Sequence, residues 1–166
     1  MKIVLTAMDA DLANAWRAHC GDLCNVSIHH GSIFDVACDA MVSPANSLGY
    51  MRGGIDALYA KRFAGIEARV RSAIATRFGG EMPVGKALMV ETGDATVPWL
   101  ISAPTMRTPM ILGPDTDHPR RAITAALRVA EGMIETIAFP GMGTGVGGVP
   151  PDVCARQMRE AILSHS

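Results

Sequence analysis

Two short stretches of the 166-residue chain concentrate the residues able to hold an anionic ligand. In the first, Val42-Ser-Pro-Ala-Asn46 through Gly53-Gly54-Ile55-Asp56, an apolar run ends in a dense group of polar and glycine residues. Asn46 offers amide donors and a carbonyl acceptor, a set that suits a sugar diol and equally an ordinary turn. Gly53 and Gly54 allow backbone to approach a ligand closely. Asp56 lies near a helix start, where a carboxylate either caps N–H groups or binds and orients water. The second stretch, Pro140-Gly-Met-Gly-Thr-Gly-Val-Gly-Gly-Val-Pro150, carries five glycines between a predicted strand and a predicted helix. Successive glycines can turn several N–H groups toward one anion, so this run is a candidate diphosphate cradle. A merely flexible loop is the plainer reading, and the chain-entropy cost of such a segment between buried apolar runs weighs against it. Gly143, Gly145 and Gly148 satisfy GxGxxG, but a dinucleotide fingerprint opens a βαβ unit with an acidic residue about 20 positions later. Too few residues follow Gly148 for that, so a conventional Rossmann domain is not expected. Gly85-Lys86 lacks both the earlier glycine spacing and the following Ser or Thr of a Walker loop.

Positioning these stretches requires alternating strands and helices. Apolar and β-branched runs predict strands at Lys2–Ala7, Asn25–His30, Cys38–Ser43, Lys86–Glu91, Trp99–Ala103 and Thr136–Phe139. Helical spacing predicts a helix to about His19 capped by Asp9 or Asp11, and a helical region from Asp56 to Arg77 with a break near Gly65. It also predicts a helix from Asp115 or Asp117 to Met133, and a last helix over Asp152–Leu163. A mixed sheet flanked by helices follows, with loops at the strand carboxyl ends forming the site.

Composition narrows the class. At 49% apolar content the chain buries one core, and residues 1–166 are expected to form a single domain. A net charge of −1 gives no reason to expect a nucleic-acid partner held by bulk electrostatics. No apolar run approaches the roughly 20 residues needed to cross a bilayer, and the first residues do not form a secretory signal, so a cytoplasmic protein with no membrane partner is expected. Cys20, Cys24, Cys38 and Cys154 lack CxxC spacing and read as reduced packing thiols. His29 and His30 are strand neighbours that point to opposite faces, so neither a metal nor any other cofactor is expected. Nothing in the pattern sets an oligomeric state.

The order of Gly31-Ser-Ile, Asp39-Ala-Met-Val-Ser-Pro-Ala-Asn46, Gly53-Gly-Ile-Asp56 and Ala138-Phe-Pro-Gly-Met-Gly-Thr-Gly-Val-Gly-Gly resembles the macrodomain family over about residues 25–163. The resemblance implies an α/β fold, a three-layer α/β/α sandwich with a mixed, mostly parallel central sheet. It implies ADP-ribose or an ADP-ribosylated substrate as ligand, with hydrolysis of an ADP-ribosyl bond in the catalytic version. By the same resemblance Asn46 contacts the distal ribose. Gly53, Gly54 and Ile55 lie beside the diphosphate, Asp56 matches an acid implicated in hydrolysis, Gly143, Thr144, Gly145 and Val146 match the second phosphate loop, and Gly147 follows on the ligand side at the distal ribose. Ser32 and Ile33 fall on the adenine side, where Ser32 replaces a frequent acidic residue. Met51 and Arg52 depart from a glycine run. Arg52 suits either a phosphate or an exposed surface position. Gly147 replaces a frequent aromatic, for which Tyr50 is a candidate substitute. Three readings follow: an ADP-ribosyl hydrolase, a non-catalytic ADP-ribose reader, and an interaction domain that has lost nucleotide binding.

Overall fold

The computed structural model describes residues 1–166. In chain order the elements are β1 (Lys2–Ala7), α1 (Ala10–Cys20), β2 (Val26–His30), β3 (Ala40–Ser43), α2 (Gly54–Arg62), α3 (Ile66–Phe78), β4 (Leu88–Glu91), β5 (Trp99–Ser102), α4 (His118–Ala130), β6 (Thr136–Phe139) and α5 (Pro151–His165). A single 3-10 turn, Ile33–Asp35, precedes β3. The strands form one sheet in the order β2-β1-β6-β3-β5-β4, with every pairing parallel except β4 against β5. This is the expected mixed, mostly parallel sheet.

Period-two alternation sorts the strand side chains onto two faces. Ala40, Val42, Ile101, Ile137 and Phe139 pack with Leu12, Trp16, Ile123, Leu127 and Met158 of α1, α4 and α5. Met41, Leu100 and Ala138 point the other way, onto Tyr59, Ile66, Val70 and Ile74 of the α2–α3 layer. Both faces are covered, which is why these strands read as continuous apolar runs. Each wholly buried Leu, Ile or Phe contributes roughly 1.5–3 kcal/mol relative to leaving it exposed. The two layers therefore fix the sheet on which the loops stand. Cys20, Cys38 and Cys154 are buried in this packing, Cys24 is exposed, and none is paired.

The boundaries differ from expectation where local hydrogen bonding decides them. α2 begins at Gly54, two residues before Asp56. α4 stops at Ala130 rather than Met133, because the N–H groups of Met133 and Ile134 both turn back to the Ala130 carbonyl and Gly132 adopts φ 75°. Asp9 caps α1, accepting from the Asp11 N–H at 2.8 Å. At α4 Asp117 holds the N-cap position as expected, but its side chain makes no cap hydrogen bond; Thr116 Oγ1 accepts from the His118 N–H instead. β4 starts at Leu88, since Lys86 N–H closes a turn onto Pro83.

Candidate functional site

β3 and β6 are adjacent and parallel, so both deliver the chain to the same edge of the sheet. Beyond that edge the chain after β3 leaves for α2 on one face, and the chain after β6 leaves for α5 on the other. Loops that depart in opposite directions from neighbouring strands open a crevice between them. A cleft of about 670 Å³ lies there. Its walls are the loop after β3 (Asn46, Tyr50, Arg52–Asp56), the glycine loop after β6 (Gly143–Gly147) and the loop after β5 (Thr105, Met106, Thr108, Pro109).

Asn46 organises its own loop. Its carbonyl oxygen accepts from the N–H groups of Leu48 (3.1 Å) and Tyr50 (3.3 Å), and its amide donates to the Tyr50 carbonyl at 2.8 Å. A bridge from Asn46 to Met106 ties the loop to the one after β5. The amide retains one unbonded N–H for a ligand.

Gly53 is the N-cap residue of α2 and supplies no side chain to cap it. The N–H groups of Gly53, Gly54, Ile55 and Asp56 have no protein acceptor. Gly54 takes φ 55°, a left-handed conformation that L residues rarely adopt. Across the cleft the N–H groups of all five residues from Gly143 to Gly147 likewise lack an acceptor. The loop is held instead by its carbonyls: Gly143 O accepts from Val149 N–H at 3.0 Å and Gly147 O from Leu112 N–H at 2.8 Å. Two runs of unpaired N–H groups, one at the positive end of a helix, suit a ligand with adjacent negative charges.

Asp56 does not cap α2. Its residue is 7% exposed, and Oδ1 accepts a 2.5 Å hydrogen bond from Ser43 Oγ at the end of β3. Burial pushes its carboxyl up to about 6, against a smaller lowering by the Ser43 hydrogen bond. Oδ2 has no protein partner and is not among the sealed unpartnered atoms, so one oxygen remains reachable from the cleft. A carboxylate near 6 is ionised at neutral pH and still basic enough to orient or accept a proton from water.

Ser32 and Ile33 are not brought into the wall of this cleft. Ser32 Oγ accepts from the Phe34 N–H at 3.2 Å, capping the 3-10 turn, and Ile33 is buried in the α2–α3 layer. Asp35 stands beside His29, 3.5 Å away. Gly147 cannot carry the aromatic its position suggested, because any Cβ there would lie 2.5 Å from the Gly143 carbonyl oxygen. Tyr50, the candidate substitute, lines the cleft with the guanidinium groups of Arg52 and Arg71 over its ring, 4.4 and 4.2 Å from the centroid.

Sequence reasoning missed Ser43, Thr105, Met106, Thr108 and Pro109. Ser43 had one signal, a hydroxyl closing an otherwise apolar strand. The wall segment after β5, residues 105–109, has no glycine and no acid to mark it. A second cavity of about 660 Å³ lies at the opposite edge, among Met1, Glu131, Glu135, His165 and Ser166. It receives the carboxyl ends of α4 and α5, and its lining sets Glu131 and Glu135 against Lys2 and the Met1 amino group. No helix is long and apolar enough to cross a membrane.

The Macro domain family model matches residues 42–158. An uncharacterized protein of Aquifex aeolicus is 40% identical over 139 residues, which cover 83% of this chain and 81% of that one. A macro domain-containing protein of Streptomyces griseus is 30% identical over 150 residues, covering 85% and 80%. Among solved structures, the macrodomain of Mycobacterium tuberculosis DarG superposes with a TM-score of 0.70 at 22% identity, over 81% of this chain and 87% of that one. A mutant Oceanobacillus iheyensis macrodomain with ADPR gives 0.65 at 17% identity, over 76% and 69%. At these identities the two structures speak to the fold, and they match the layered architecture described above.

Proposed function

The chain belongs to the macrodomain family, and from that premise we propose that the cleft binds ADP-ribose or an ADP-ribosyl group. One observation carries this reading: nine N–H groups without protein acceptors, at Gly53–Asp56 and Gly143–Gly147, belong to residues lining opposite walls of one cleft. The diphosphate lies between them, with Gly53, Gly54 and Ile55 on one side and Gly143, Thr144, Gly145, Val146 and Gly147 on the other. Asn46 gives its remaining amide N–H to the distal ribose. Ser32 and Ile33 lie outside the cleft wall and have no part in this reading. Four unpaired thiols suit a reducing cytoplasm.

In the catalytic version Asp56, held by Ser43, orients a water or a ribose hydroxyl at the ADP-ribosyl bond. The N–H groups on the diphosphate hold the ADP-ribosyl group in place without reorganisation while water adds at the distal ribose and the modified side chain departs. The reader version, binding without cleavage, is favoured by the internal bonds that already engage both Asn46 and Asp56.

Calorimetric titration with ADP-ribose tests binding, and release of ADP-ribose from an ADP-ribosylated protein tests turnover. Heat with saturation is expected from the wild type, and loss of turnover with retained folding from Asp56→Ala. No heat at millimolar ADP-ribose would sink the binding reading; unchanged turnover in Asp56→Ala would remove that acid from the mechanism.

A further inference from the structure

The two lips of the cleft differ in chemistry, and their side chains are left over once backbone N–H groups have taken the diphosphate. On the α2–α3 side the guanidinium groups of Arg52 and Arg71 both lie over the Tyr50 ring, and Arg71 Nη2 also donates to the Tyr50 hydroxyl at 3.2 Å. One carboxylate serves this pair: Glu67 lies 3.6 Å from Arg52 Nε, and its Oε2 already accepts the Met51 N–H at 2.7 Å. Arg71 has no carboxylate partner, and the Arg52 side chain is 70% exposed, so the lip carries surplus positive charge facing solvent. On the other side Val146 is 62% exposed and Ile111 80% exposed, with Met110 beside it. Ile111 lies against the glycine loop, 3.9 Å from where a Cβ of Gly148 would stand.

Large apolar side chains left in water beside a cleft mark an interaction site more often than a random surface. Arginine, tyrosine and methionine are the residue types enriched where proteins meet proteins. A free nucleotide would fill the floor and leave both lips bare. Guanidinium groups fixed on an aromatic ring are preorganised for a carboxylate. With two guanidinium groups already over it, the Tyr50 ring is a poor platform for base stacking, which argues against a single-stranded nucleic acid.

We propose that the rim docks a protein segment, with an acidic side chain against Arg52 and Arg71 and an apolar side chain against Ile111 and Val146. The substrate class is then an ADP-ribosylated protein whose modified residue has an acidic neighbour on one side and an apolar neighbour on the other. This rests on the reading of the cleft as an ADP-ribose site.

The test uses synthetic peptides bearing ADP-ribose through a non-hydrolysable linkage, flanked either by Glu and Leu or by Lys and Ser, beside free ADP-ribose and an ADP-ribosylated oligonucleotide. The Glu/Leu conjugate should bind at least tenfold more tightly than free ADP-ribose and than the Lys/Ser conjugate. Arg71→Glu and Ile111→Ser, both exposed and outside the cleft wall, should each weaken the Glu/Leu conjugate about fivefold or more while leaving free ADP-ribose within twofold. Equal affinity for the two conjugates overturns the proposal, as does oligonucleotide binding tighter than the Glu/Leu conjugate. Either result alongside normal ADP-ribose binding leaves the cleft reading intact; failure of ADP-ribose itself to bind overturns both.

Discussion

Asp56 combines burial, one short hydrogen bond and one free oxygen, and titration separates the consequences. Its pKa in the folded chain, about 6, lies above the ordinary 3.8. Between those values the folded chain holds a proton that the unfolded chain has lost. Stability therefore falls as pH rises through that window and levels off above it. Asp56→Asn removes the ionised carboxylate and should stabilise the protein by about 2–3 kcal/mol at pH 8, a gain that vanishes below about pH 4. Urea unfolding of both proteins at several pH values checks this; an equal gain at all pH values would place the effect outside ionisation. Ser43→Ala, by deleting the donor that lowers the carboxyl, should raise the Asp56 pKa further, which a carboxyl carbon NMR titration reads directly.

At the level of the loops, the glycines divide into those the protein needs and those it does not. A Cβ at Gly147 would collide with the Gly143 carbonyl, so Gly147→Ala should cost about 1–3 kcal/mol and distort the loop. A Cβ at Gly145 meets no protein atom within 4 Å, and its φ is not left-handed. Gly145→Ala should therefore leave stability within about 0.5 kcal/mol while lowering ADP-ribose affinity tenfold or more, because the added methyl occupies ligand space. Denaturant melts paired with calorimetry separate the two classes; unchanged affinity in Gly145→Ala would mean the loop does not close on the ligand.

The same loops mark how far the sequence could be read. Strand and helix identity were legible because burial on both faces of the sheet leaves apolar runs, and the glycine spacing was legible because cradle geometry demands it. Asp56 was legible as an acid near a helix start that either caps N–H groups or orients water, and only the fold, which brings Ser43 within bonding distance, tells against the cap. Thr105 and Met106 were invisible, since their place in the wall comes from β5 lying beside β3 and not from their own neighbours in sequence. The covered Tyr50 ring was equally hidden, because Arg71 reaches it from α3, 21 residues away.

For the whole molecule, ligand binding and folding are linked. Ligand at 100 times its dissociation constant adds about 2.7 kcal/mol. In a domain of this size that corresponds to roughly 5–10 °C in Tm. A melt with and without saturating ADP-ribose should show that rise. With a net charge of −1, affinity for unmodified RNA should stay weak even at low salt. The two cavities at opposite edges of the sheet then offer a direct choice of location. The decisive measurement is an amide chemical-shift titration of isotopically labelled protein with ADP-ribose. Shifts concentrated at Gly53, Gly54, Ile55 and Gly143–Gly147 are predicted; shifts confined to Lys2, Glu131, Glu135 and His165, with the two glycine loops unmoved, would contradict the account.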